Sequence, residues 1–362
     1  MLFSAAVLRT KWTASSVSTL NLGQSLLMTL DTLAARETLT DTATMRAARL
    51  AAPGEISLDE VALPEPGPGQ VRIRLEGCGV CASNLTPWGG AEWMTYPTEP
   101  GALGHEGWGV VDAVGEGVTE FATGDRVAAL SYSAYAEYDL ADASATVRLP
   151  ASLDGQPFPG EPLGCAMNIF RRGDIQPGQT VAIVGIGFLG ALLTRLAKDA
   201  GARVIAISRR PFSLDIAREM GADETIAMDD HWAIIEKVKE LTGGVLADRV
   251  IEAVGKQWPL DLAAEITKER GRLVIAGYHQ DGPRQVNMQM WNWRGLDVIN
   301  AHERDPQVYI EGIRMAVDAV ASGRLDPTPL YTHTYPLDQL DQALNDTRDR
   351  PDGFLKALVM MG

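Results

Sequence analysis

Short apolar stretches broken by glycine and proline dominate the chain from Met45 to about Pro150: RAARLA, VRIRLEGCGV, GWGVVDAVG, DRVAALS and AYAEYDL. Runs of this length bounded by turn formers predict β-strands, and their close spacing predicts a β-rich unit of Greek-key or barrel type. Past Pro177 the rhythm changes. TVAIVG leads into a helical pattern over 188–200, and RVIAIS, SLDIAREMG, ETIAM, IIEKVKELTG, RVIEAVG and RLVIAGY continue as strand and helix in turn. That alternation predicts an α/β doubly wound parallel sheet. A helix over 309–322 and a closing FLKALVMM strand point to a return to the first unit. The chain thus divides into a β-rich unit over 45–165, a parallel-sheet unit over 166–303 and a returning segment over 304–362.

Residues 1–44 stand apart. They carry Arg9 and Lys11, many Ser and Thr and no acidic residue before Asp31, loosely the composition of a transit peptide. The apolar run MLFSAAVL precedes those charges, the reverse of a secretory signal. The expectation is a leader with no partner in the fold, with Met28 or Met45 as the working start.

Composition narrows the function. With 362 residues, 46% hydrophobic and 22% charged, the chain reads as a soluble globular protein of about two domains. A net charge of −15 argues against nucleic acid or an anionic membrane as partner, since a phosphate surface repels it, and favours a small molecule. Three cysteines, Cys78, Cys81 and Cys165, are too few for a disulfide framework. They indicate a reducing, cytoplasmic setting in which a useful thiol is a ligand or a nucleophile. No apolar run reaches the roughly 18 residues of a membrane span.

Two patterns carry chemistry. Gly185, Gly187 and Gly190 spell GIGFLG between the strand TVAIV and an Ala- and Leu-rich helix. There the first glycine allows a tight turn, the second lets backbone approach a pyrophosphate, and the third lets helix and strand pack closely. At the tip of the next strand, where a carboxylate would select NAD, the chain has Ser208, Arg209 and Arg210. Cations there suit a 2′-phosphate and point to NADP, with NAD still possible. The second pattern is Cys81 in EGCGVCASN and His105 in GALGHEGWG. A thiolate, an imidazole and one further ligand would make a tetrahedral zinc site with a fourth position open to substrate. Glu106, Glu161 and Cys165 compete for the remaining place.

Taken together, GVCASN, GHEGWG, GDRVA, EPLGCAMN, GIGFLG, EAVG and RPDGFLKALV resemble the zinc-dependent medium-chain dehydrogenase/reductase superfamily of alcohol, polyol and threonine dehydrogenases, over essentially all of 45–362. The resemblance implies a GroES-like catalytic domain with a Rossmann domain inserted in it and hydride transfer between NAD(P) and an alcohol, a polyol or the corresponding carbonyl. Cys81 and His105 resemble the first two zinc ligands. Glu161 matches the glutamate that polyol and threonine dehydrogenases use as third ligand, with Cys165 the alternative one helical turn on. Glu106 resembles a second carboxylate that ligates zinc or exchanges with substrate, and Ser83 stands where a hydroxyl passes the alcohol proton outward. Around the cofactor the resemblance implies Phe188, Leu189, Ala253, Val254 and Gly277 beside the three glycines. It also implies a homodimer or homotetramer.

The chain departs from that pattern in three places. The lobe of four closely spaced cysteines that holds a structural zinc is missing between Asp125 and Pro150, which limits the expectation to one zinc per chain. Asn84 stands where the family often has Asp, and Thr86 where a proton-relay His is common. Trp88, Trp93 and Met94 are candidates for the cleft wall or for packing, and Trp291 and Trp293 for a pocket wall or a subunit interface. Two rival readings are a zinc-free quinone or enoyl reductase of the same superfamily, and a non-catalytic NADP-binding sensor.

Overall fold

The computed structural model describes residues 43–362; the expected leader lies outside them except at its last two residues. Elements follow in chain order. β1 (Thr44–Ala52) and β2 (Glu55–Ala62) form an antiparallel hairpin. β3 (Gln70–Gly79), the short helix α1 (Leu85–Trp88), β4 (Gly107–Val114), β5 (Arg126–Ala129), β6 (Tyr138–Asp142) and β7 (Thr146–Arg148) come next, and α2 (Gly160–Gly173) ends this part. The strands alternate inward and outward along the chain. In β3 the inner positions Val71, Ile73 and Leu75 are buried and share a core cluster with Val111 of β4 and Val127 of β5.

β8 (Thr180–Val184), α3 (Phe188–Asp199), β9 (Arg203–Ser208), α4 (Pro211–Glu219), β10 (Glu224–Ala227), α5 (His231–Leu241), β11 (Ala247–Glu252), α6 (Gln257–Glu265), β12 (Thr267–Ile275), α7 (Met288–Arg294) and β13 (Asp297–Asn300) build the second layer. Their six strands are all parallel in the order β10-β9-β8-β11-β12-β13. Central strands buried on both faces need continuous apolar runs, and all but the first residue of β8 and of β9 is buried. The order reverses between β8 and β11, so a crevice opens outside the carboxyl ends of those two strands.

The last part returns. α8 (Pro306–Ala321) begins three residues earlier than its periodicity predicts, because Asp305 accepts from the Gln307 amide as N-cap and Pro306 opens the first turn. β14 (His333–Pro336), α9 (Leu340–Asp349) and β15 (Ala357–Met360) follow. β15 lies between β14 and β3 in a sheet ordered β14-β15-β3-β4-β5-β7, with β6 also on β3. The expected boundary at 165/166 falls within α2, which packs along α8 where Gly164 faces Gly312. A Cβ on Gly312 would stand 2.6 Å from the Gly164 carbonyl, so only glycine permits this approach. One apolar cluster runs from Trp108 and Leu163 through Ile183 and Leu192 to Ile313 and Leu358, joining both sheets.

Candidate metal and dinucleotide site

Cys81, His105 and Glu106 come together from two loops flanking β3 and β4, and their ligand atoms all lie within 4.8 Å of one another. Cys81 caps the short turn 82–84, its Sγ accepting from the Ser83 amide at 3.5 Å. His105 is oriented through Nδ1, which donates to the Leu103 carbonyl at 3.1 Å and so leaves Nε2 to face the cluster. That carbonyl is itself fixed, since Leu103 sits in the left-handed region at φ 75° and its oxygen accepts from Asn84 Nδ2 at 3.1 Å. Asn84 donates a second bond to Tyr135 Oη at 2.7 Å. An aspartate could donate neither bond, which accounts for the amide where the family often has a carboxylate.

Glu106 is buried to 1% exposure against Gly79, where an added Cβ would fall 1.8 Å from Oε2. Its partner is Lys356, the residue just ahead of β15: Nζ lies 2.7 Å from Oε1 and 2.5 Å from Oε2 and also donates to the Val80 carbonyl. The contact to Oε2 is an ion pair without hydrogen-bond alignment. Burial lowers the Lys356 ammonium's affinity for its proton, but Glu106, Cys81 and Glu161 together outweigh it and the group stays charged. Sequence reasoning passed over Lys356. Its signal was a single cation in an otherwise apolar closing strand.

Glu161 and Cys165 lie one turn apart on α2, and the Cys165 thiol donates to Glu161 Oε1 at 3.1 Å. Burial raises the Glu161 carboxyl and pushes the Cys165 thiol well up. Glu161 bears electrostatically on His105 but stands outside the tight group of three. Burial would pull His105 down; contact with Cys81 and the charges of Glu161 and Glu106 instead raise it to about 10. The donor set fits zinc. A thiolate, an imidazole with Nε2 free and two carboxylates are zinc's ligand types, and once Lys356 has offset one of three negative charges a divalent cation balances the rest.

Lys356 also touches the second site, its ammonium lying 5.2 Å from the centroid of the Phe188 ring, the first residue of α3. The GIGFLG turn has the geometry a dinucleotide needs. Gly185 takes φ +101°, and a Cβ there would strike the Val254 side chain at 2.3 Å. A Cβ on Gly190 would meet the Gly185 carbonyl at 2.0 Å, whereas one on Gly187 meets nothing within 4 Å and projects into open space. Open backbone at the second glycine, at a helix N-terminus, fits a pyrophosphate. Opposite it, the turn 253–255 is held by Glu252, fully buried, whose Oε1 accepts from the Val254 and Gly255 amides at 2.8 and 2.7 Å. Glu252 Oε2 faces His279 Nε2 at 3.0 Å. Gly277 packs against Gly255 with no room for a side chain. Glu252 was also missed, for a carboxylate at a strand end reads as surface until its backbone partners are known.

Ser208 is buried at the end of β9, Arg209 is exposed, and Arg210 turns away to donate to the Phe354 carbonyl at 2.6 Å. Ser83 Oγ faces Asn84 Oδ1 at 3.3 Å. Of the aromatic candidates, Trp88 belongs to the core at 3% exposure with Nε1 donating to Asn345, while Trp93 is exposed and Met94 half-buried. Trp291 is half-buried and Trp293 exposed. Tyr132, not singled out in the sequence, lies with its ring centroid 6.3 Å from that of His105. Among the described residues no helix is long and apolar enough to cross a membrane.

Known proteins share both halves. Residues 67–155 match the alcohol dehydrogenase GroES-like domain and residues 189–318 the zinc-binding dehydrogenase family. An alcohol dehydrogenase of Rhizobium meliloti (strain 1021) is 32% identical over 253 residues, covering 61% of this chain and 73% of the relative. A sorbitol dehydrogenase of Gallus gallus is 27% identical over 336 residues, covering 82% and 91%. The crystal structure of a zinc-binding dehydrogenase from Sinorhizobium meliloti 1021 bound to NADP superposes with a TM-score of 0.76 at 27% identity, covering 88% of this chain and 99% of that one. A thiol, an imidazole and a carboxylate one side chain away from a glycine turn open to a pyrophosphate, on a GroES-like unit joined to a Rossmann sheet, place this chain in the zinc-dependent medium-chain dehydrogenase/reductase superfamily.

Proposed function

We propose that the protein oxidises an alcohol or polyol, or reduces the corresponding carbonyl, with NADP as cofactor and one zinc ion per chain held by Cys81, His105 and Glu161. Lys356 carries the reading. One ammonium contacts both Glu106 and Phe188, so the metal-ligand cluster and the dinucleotide turn share a single wall. Zinc, when bound, supplies a Lewis acid at the substrate oxygen, and the nicotinamide supplies the hydride or accepts it.

The chain's own groups do the rest. Gly185, Gly187 and Gly190 let backbone amides approach the pyrophosphate, while Phe188, Leu189, Ala253, Val254 and Gly277 shape the crevice around the nicotinamide half. Glu252 prevents the 253–255 turn from drifting. Ser83, next to Cys81 and hydrogen-bonded to Asn84, is placed to take a proton from the substrate hydroxyl and pass it outward, with water as the terminus because Thr86 replaces the relay imidazole. Glu106, held by Lys356, keeps a second carboxylate beside the metal position. Ser208 and Arg209 favour NADP over NAD. A homodimer or homotetramer working in the cytoplasm completes the reading.

The test is a panel of alcohols, polyols and sugars followed by absorbance of the reduced nicotinamide, together with metal analysis. Purified protein is expected to hold close to one zinc per chain and to turn over at least one class of alcohol. Cys81→Ala is expected to lose both metal and turnover while keeping NADPH binding. Two zinc ions per chain, or full turnover in Cys81→Ala, overturns the assignment.

A further inference from the structure

Three guanidinium groups gather at the tip of β9. Arg209 projects outward, and Arg210 is pinned through its bond to Phe354. The third, Arg350, is distant in sequence. It ends α9, its amide donating to the Asp346 carbonyl at 2.8 Å, and it adopts φ +50°, a conformation that glycine or asparagine takes more readily. The turn that follows closes with the Phe354 amide donating to the Pro351 carbonyl at 3.0 Å, and it is this turn that Arg210 staples to the end of β9.

The result is a concentration of like charge. Burial, then repulsion from Arg350 and Arg209, holds the Arg210 guanidinium below its usual range; burial, then repulsion from Arg209, does the same to Arg350. The carboxylate of Asp352 opposes this repulsion at Arg210. Arg348 and Asp349 neutralise each other nearby. The N-terminus of α4 opens at the same place with no acidic residue in its first turn and no side-chain cap. Ser208 stands beside it, buried, with a hydroxyl in place of a carboxylate.

We propose that Arg350 is a specificity residue for the 2′-phosphate of NADP, reaching the adenosine pocket from the returning C-terminal segment to complete with Ser208 and Arg209 an anion site built from both parts of the chain. Arg210 fixes the turn that presents Arg350 and is a positioning residue. This inference rests on the NADP reading above. A dianion set between the Arg209 and Arg350 guanidinium groups relieves their repulsion, whereas NAD, with a bare ribose hydroxyl, offers nothing to offset it.

Equilibrium binding separates the two claims. Dissociation constants for NADPH, NADH, 2′,5′-ADP and 5′-AMP are measured by fluorescence and calorimetry on the wild type, Arg209→Ala, Arg350→Asn and Arg350→Lys, asparagine being chosen because it tolerates the left-handed backbone. The wild type is expected to prefer NADPH to NADH and 2′,5′-ADP to 5′-AMP. Arg350→Asn is expected to weaken NADPH and 2′,5′-ADP about tenfold and to leave NADH and 5′-AMP within about twofold, with Arg350→Lys recovering most of the loss. A wild type without preference overturns the NADP reading itself. A wild type that prefers NADPH while Arg350→Asn binds it equally well, or an Arg350→Asn that weakens all four ligands alike, overturns the role of Arg350 alone.

Discussion

Between Glu161 and Cys165, the hydrogen bond already made supports the carboxylate as the proposed zinc ligand. The Cys165 thiol donates to Glu161 Oε1, and burial keeps that thiol protonated, so it serves as the carboxylate's support. Glu161→Ala is therefore expected to reduce bound zinc by at least tenfold in a chelator competition, while Cys165→Ala keeps near-full metal; the reverse pattern would exchange their roles. Such single residues differ in how well they can be read from sequence. A thiol and an imidazole among glycines are each ordinary alone, and Cys81 and His105 stood out because they occur together with a dinucleotide turn. Lys356, Glu252 and Leu103 were not. Lys356 matters through a carboxylate 250 residues away in sequence, and Glu252 and Leu103 through a backbone amide or carbonyl two residues away whose role no side chain announces.

At the scale of elements, the contact of α2 with α8 positions Glu161, because α2 carries that residue on its first turn. The two helices approach at Gly164 and Gly312, and a methyl group at Gly312 would also lie 2.5 Å from Asn168 Nδ2, whose bond to the Val308 carbonyl ties the pair. Gly312→Ala is expected to cost about 1–3 kcal/mol in denaturant unfolding and to lower zinc affinity with it. Unchanged stability would show that the helices slide without penalty. Long elements with strong periodicity, such as β8, α3 and β9, could be placed from their apolar runs alone. Two of the short ones could not: β13 and β14 have four residues each without a clear apolar run, and each lies along one edge of a strand that could be read, β12 and β15 respectively. The starting point of α2 was also hidden, since GEPLG opens with residues that favour turns.

For the molecule as a whole, stability should depend on pH through Asp139. This carboxyl on β6 is 5% exposed; its Oδ1 accepts from the Leu140 amide, and burial outweighs its hydrogen bonds and raises it to about 6. Because the folded value lies above the unfolded one, the fold is favoured while the group is protonated, and stability falls as pH rises from about 4 to 6. Asp139→Asn is expected to gain up to about 2–3 kcal/mol on the wild type at pH 7.5, a gain that shrinks toward zero below pH 4 in parallel unfolding curves. A difference that does not vary with pH would discard the idea. The placement of Lys356 reaches further, into the order in which a ribosome delivers the chain. Every candidate ligand has been made by Cys165, yet the cation that neutralises Glu106 follows about 190 residues later, some ten to forty seconds at ordinary elongation rates. During that interval the nascent site is an acidic thiol-bearing patch without its counter-ion or β15. A metal ion at the proposed site would meet its full charge balance only after the closing strand has arrived.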